Sequence, residues 1–111
     1  MKPTLKAELW VKALIRRCAA QNVPAVLVRR GEGSAGSVLI KVSRLDDTAT
    51  VYSPARAGDG SRIWLRATGP DPVSEPDAEA YIARQESRDP DIWVVEIEDR
   101  EGRHFLQEPV D

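Results

Sequence analysis

Gly31, Gly33 and Gly36 stand in the order G-x-G-x-x-G, directly after Arg29 and Arg30. Where such glycines follow a strand and open a helix, the first helical amides and the helix dipole hold a pyrophosphate. Here the next residues, Ser37, Val38, Leu39, Ile40, Lys41 and Val42, carry the branched side chains of a strand instead. The segment from Arg29 to Gly36 therefore reads as a hairpin tip and not as a dinucleotide site. What survives is a small anion nest of Arg29, Arg30, Gly31, Gly33 and Gly36, in which amides and guanidinium groups would close around a phosphate.

Other candidate chemistry is thinner. Gly33 to Gly36 approach the nucleophile elbow G-x-S-x-G, but Glu32 replaces its first glycine and no helix follows. His104 is the sole histidine, and no nucleophile lies near it in sequence. Glu96 and Glu98 share one face of a strand beside Asp99 and Glu101, as an acid/base pair or a site for a hard divalent cation would require. The same spacing describes a solvated strand face, and a cation would need further ligands such as Asp46 and Asp47. Cys18, the only cysteine, lies among Leu14, Ile15 and Ala19 and reads as a small buried hydrophobe. No catalytic set, metal site or cofactor is expected, and an enzymatic role is not favoured.

The elements that must position these residues follow from periodicity. Between Thr4 and about Asn22, the apolar residues Ala7, Val11, Leu14, Ile15 and Cys18 recur at spacings of three and four, which predicts an amphipathic helix closed before Pro24. Four β-rich runs follow at 25–30, 37–44, 49–53 and 62–66, with short turn-forming connections that predict an antiparallel meander. Gly69 to Pro76 reads as a loop, and Ser74 with Asp77 as the cap of a second helix that stops at Asp89 and Pro90. Ile92 to Glu98 is the strongest strand, with Trp93, Val95 and Ile97 on one face and Ile92, Val94, Glu96 and Glu98 on the other. His104 to Leu106 would return beside it as a hairpin. The expectation is one α+β domain over residues 1–111, with an antiparallel sheet of five to six strands and both helices packed on it.

Composition bounds the rest. A chain of 111 residues, 41% hydrophobic and 31% charged, is the size of one domain and has enough apolar surface to bury a core. No apolar run approaches the roughly 18 residues of a membrane span, and charges interrupt any signal-like stretch at the N-terminus, so a cytoplasmic protein without membrane contact is expected. Residues 1–44 carry nine Lys or Arg against two Glu, whereas residues 45–111 carry seven against sixteen acids, for a net charge of −2. The acidic half would repel nucleic acid, which makes a polyanionic partner unfavoured. Oppositely charged halves fit neutralisation within one fold or contact with a protein partner, including a second copy of the chain. Trp64, flanked by Arg62 and Arg66, suits exposure as well as burial; with Glu96, Glu98 and Asp99 it is a candidate interaction residue.

The segment Leu9–Arg17, the residues Arg30, Gly31, Ala35, Gly36 and Val38–Val42, and the ending Asp89–Asp99 with Arg103, His104, Phe105 and Leu106 together resemble domain-of-unknown-function family 1491. The resemblance covers nearly the whole chain and implies a small bacterial cytoplasmic protein. It brings with it no activity, ligand or catalytic residue. From the residues alone, the first expectation is a non-enzymatic protein-interaction module; the alternative is a small-molecule or phosphate-binding protein, even a weak enzyme, using Arg29 to Gly36.

Overall fold

In the computed structural model, which describes residues 3–32 and 37–111, the chain runs α1 (Pro3–Ala20), β1 (Ala25–Arg29), β2 (Val38–Ser43), β3 (Thr48–Arg56), β4 (Arg62–Arg66), β5 (Val73–Ser74), α2 (Glu75–Arg88) and β6 (Trp93–Glu98). These form one α+β sheet structure with strand order β1-β6-β2-β3-β4, and the short β5 pairs with the start of β3. All pairings are antiparallel except that of β6 with β2.

Both helices end and begin as their sequences dictate. Asn22 adopts a left-handed φ of 60°, and Val23 N–H reaches back to Cys18 C=O at 2.9 Å, which satisfies the last carbonyls of α1. Ser74 Oγ accepts the Asp77 N–H at 3.2 Å as the cap of α2, and Glu75 and Asp77 face the positive end of its dipole.

Two expectations about the sheet are corrected. The runs at 25–30 and 37–44 do not pair as a hairpin, because β6 lies between them, antiparallel to β1 and parallel to β2. Only β2, β3 and β4 form a meander. The cause is burial: Trp93, Val94, Val95 and Ile97 are all buried, so β6 needs cover on both faces and belongs inside the sheet. By contrast Val26 and Val28 of β1 are 54% and 58% exposed, as an edge strand tolerates. The chain leaving β1 crosses the start of β6, where Glu32 N–H bonds to Asp91 C=O and Trp93 N–H to Ser37 C=O. Gly31 makes that crossing possible, since a Cβ there would collide with Asp91 C=O and the Trp93 ring.

The second correction concerns residues 104–106, which form no strand. Phe105 has a left-handed φ of 59°, and the Arg17 side chain of α1 donates to Phe105 C=O at 3.0 Å, holding the segment over the end of the sheet. Farther on, Trp64 N–H donates to Pro109 C=O, and Asp111 N–H donates to Trp64 C=O, so the chain runs beside β4 instead.

The helices cover opposite faces. On one side, Val11, Leu14 and Cys18 of α1 pack with Ile40, Val42, Tyr52, Trp64, Trp93, Val95 and Ile97. On the other, Ala78 and Ile82 of α2 pack on Leu39, Ala49, Val51, Ile92 and Val94. The alternation read from Ile92 to Glu98 thus holds. Among the described residues no helix is long and apolar enough to cross a membrane.

Candidate functional site

The alternation that buries Ile40 and Val42 beneath α1 places Arg44 next on the same face, and the same parity carries Thr50 and Tyr52 on β3 and Arg66 after Trp64 on β4. Register completes the row, because Val42 pairs with Thr50 and Tyr52 with Arg66. Arg44 and Arg66 thus flank β3 from strands about 10 Å apart, two strand spacings. The segment from Glu101 to Phe105 forms the facing wall. Between them lies an open cleft of about 580 Å³, whose polar lining includes Arg44, Thr50, Tyr52, Arg66, Arg103 and His104.

The facing wall is built rigidly. Asp99, buried at the end of β6, receives Arg103 Nε at 2.9 Å, Arg103 Nη2 at 3.1 Å and the Arg103 backbone N–H at 2.8 Å. Those hydrogen bonds hold the Asp99 carboxyl below its ordinary value. Gly102 has φ +71°, and a Cβ there would strike the Arg44 guanidinium, so glycine lets that group lie flat against the turn. His104 Nδ1 accepts the Leu106 N–H at 2.9 Å, and its ring meets Tyr52 edge-on with centroids 5.2 Å apart. Burial, and then the charge of Arg66, push its pKa below the usual histidine value.

Charge balance singles this cleft out. Arg103 is matched by Asp99 and also lies 3.4 Å from Glu101. Among the described residues neither Arg44 nor Arg66 has a carboxylate within 4.0 Å. Arg44 and Arg66, with Arg103 already matched by Asp99, an imidazole and two hydroxyls therefore face one space with Glu101 as its one carboxylate, a donor-rich lining suited to an anion.

The opposite face holds a second polar cluster of another character. Lys41 Nζ lies 2.6 Å from Glu75, 2.6 Å from Glu79 and 3.4 Å from Glu96, and Ser43 Oγ donates to Glu75 at 2.6 Å. Burial alone would lower the Lys41 pKa, but hydrogen bonds to Glu75 and Glu79 outweigh it and raise it, so this ammonium is no base. It fastens α2 to the sheet. Among the described residues no group of three or more His, Cys, Asp or Glu could hold a metal ion.

The residues singled out in the sequence are scattered. Arg29 donates to Ile92 C=O at 2.6 Å and lies 3.9 Å from Glu86, while Arg30 pairs with Glu8 and covers the Trp93 ring at 5.3 Å. Gly31 is buried against Trp93, and Gly33 and Gly36 lie outside the described residues. Trp64 is 6% exposed, stacked on Trp10 and donating Nε1–H to Glu108 at 3.0 Å. Glu96 belongs to the Lys41 cluster, Glu98 is half-buried on the same face, and Asp99 serves the cleft wall. Of the cleft residues, the sequence points to His104, as the sole histidine, and to Glu101, beside the Glu96 and Glu98 pair. Arg44 and Arg66 did carry a signal, each standing two residues beyond an inward apolar residue at a strand end.

A protein-family model described as a protein of unknown function, DUF1491, matches residues 5–107. The fold resembles the crystal structure of a DUF1491 protein from Caulobacter crescentus CB15, with 50% identity, TM-score 0.82 and coverage of 93% of this chain and 95% of that one. An NMR structure of a DUF1491 protein from the same organism matches at 50% identity and TM-score 0.78, covering 94% of each chain. A solution structure from A. tumefaciens matches at 28% identity and TM-score 0.75 over 91% of each chain. No curated protein matches the chain significantly. With a family model spanning all but its two ends and relatives that share its fold along nearly their whole length, the chain belongs to the DUF1491 family.

Proposed function

We propose that the protein binds a small anionic ligand in the cleft between the sheet end and the 101–105 wall. The observation that carries this is the pair Arg44 and Arg66, on one face of the sheet and without a carboxylate in ion-pair range among the described residues. Three guanidinium groups, Arg44, Arg66 and Arg103, line the cleft against the single carboxylate of Glu101, and an anion relieves the repulsion among them. Arg29 and Arg30 are already engaged with Glu86 and Glu8, which favours the cleft over the Arg29–Gly36 segment as the anion site. Titration with inorganic pyrophosphate, followed by amide NMR, tests the assignment. Shifts should centre on Gly102 to Phe105 and weaken in Arg44→Gln; shifts confined to residues 29–36 would move the site back to that segment.

A second role, as a protein-interaction module, is supported by β1. This edge strand presents Val26 and Val28, and Pro24 C=O accepts Glu98 N–H, so by alternation the backbone groups of Ala25 and Leu27 face outward. Sedimentation of the protein over a range of concentrations tests self-association, and Val28→Lys should abolish any dimer formed through this edge.

A further inference from the structure

Resting on the cleft as an anion site, we infer that its occupant carries a phosphomonoester group bound as the dianion, selected by His104 acting as a fixed neutral hydrogen-bond donor. The Leu106 backbone N–H can only donate, so the Nδ1 atom that accepts it at 2.9 Å carries no proton. The single proton of the neutral ring therefore resides on Nε2. Forming the imidazolium would set one N–H against another and break that bond. Every charged neighbour on the cleft but one opposes it as well: Arg66 from β4, Arg44 beyond β2 and Arg103 from its own segment are cationic, and only Glu101 is acidic. Tyr52 and Thr50 add hydroxyls to the same lining. The depressed pKa of His104 has the same sign.

A ring locked in this way has no free lone pair, so it supplies a donor and not a base. The donor set fits a tetrahedral group better than a planar one. Arg44 and Arg66 approach from two sides of β3 and His104 from a third wall, whereas a carboxylate offers two oxygens in one plane. Three terminal oxygens bearing two charges would engage all three walls. The cleft, about 580 Å³, also exceeds a bare phosphate, and Pro70, Pro72 and Phe105 give it an apolar side for an organic substituent.

Calorimetry on the full chain with phenyl phosphate, phenyl sulfate and benzoate tests this. Phenyl phosphate should bind at least about tenfold more tightly than the two monoanions, the order of one charge-assisted hydrogen bond. Its affinity should rise from roughly pH 5.5 to 7.5 as its second proton, with a pKa near 6, dissociates. Over the same range the ring signals of His104 should keep the Nε2–H neutral pattern. His104→Gln, which retains a donor near Nε2, should keep the preference, and His104→Leu should lose it by about tenfold. Phenyl phosphate binding that weakens with rising pH, an imidazolium in the complex, or equal affinity for all three probes overturns the inference while leaving an anion site in place. If none of the three binds, and Arg44→Gln changes nothing, the cleft itself is not an anion site and both conclusions fall.

Discussion

Lys41 and Arg44 stand three residues apart, yet they occupy opposite electrostatic settings. Lys41, on the α2 face, is buried and touches three carboxylates. Arg44, on the α1 face, lies against a glycine turn and faces a cleft that it shares with Arg66. The strand alternation alone sends the two cations to different sides. A buried cation must be neutralised within the fold, because leaving it bare costs several kcal/mol. A cation at a solvated rim need not be, and it is there that charge stays available for a ligand. The contrast separates charge that the fold consumes from charge that it leaves at a solvated cleft.

Removing Lys41 should be the most damaging way to break this contrast. Lys41→Met leaves Glu75, Glu79 and Glu96 facing one another and should cost about 3 kcal/mol, near the lower end for a broken buried ion pair because the carboxylates are partly solvated. Urea unfolding monitored by tryptophan fluorescence would show it, with phosphate binding by the residual folded protein unchanged. If stability held, the cluster would not be what fastens α2.

Gly102→Ala comes next. Its left-handed backbone and the guanidinium packed on it predict a loss of about 2 kcal/mol, and displacement of Arg44 should weaken phenyl phosphate about tenfold. Loss of stability with full binding would mean that Arg44 needs no such seat.

Asp99→Asn tests the wall through pH. The Asp99 carboxyl has a lowered folded-state pKa, so its contribution is fully present above the unfolded value of about 3.9 and is lost as pH falls through the folded one. The variant should therefore be less stable by about 1.5 kcal/mol at neutral pH, with the difference closing below about pH 4. A difference that persisted at low pH would show that packing, and not the charge, matters at this position.

Smallest in stability is Arg44→Gln, expected within about 0.5 kcal/mol of the parent protein because, among the described residues, no carboxylate lies within ion-pair range of Arg44. The same change should reduce phenyl phosphate affinity about tenfold. A large stability loss would instead place Arg44 with Lys41 as a structural cation.

Much of the local architecture was legible in the sequence. Three- and four-residue spacing marks α1, Ser74 marks the start of α2, and alternation assigns both faces of β6. Pairing was not legible to the same degree. Short connections favour neighbouring partners, which suggested that β1 and β2 pair, but the two-sided burial of β6 outweighed proximity in sequence. At Arg29 and Arg30 the sequence offered two adjacent charges beside glycines; Glu8, Glu86 and Trp93, which engage them, lie up to 63 residues away. Trp64 likewise looked as ready for exposure as for burial, because Trp10 and Glu108, which cover it, are distant in the chain.

The sequence by itself determined which segments become helix and strand and which side of each strand is apolar, because these depend on side-chain type and spacing within about ten residues. Tertiary structure alone decided that Arg44, Arg66 and His104 line one cleft. They come from two strand ends and a turn, and their approach depends on register, on Gly102 and on the Arg17 bond that folds Phe105 back over the sheet. Sites assembled from separate segments leave no local pattern, since the free energy that joins them belongs to the packing of the elements that carry them.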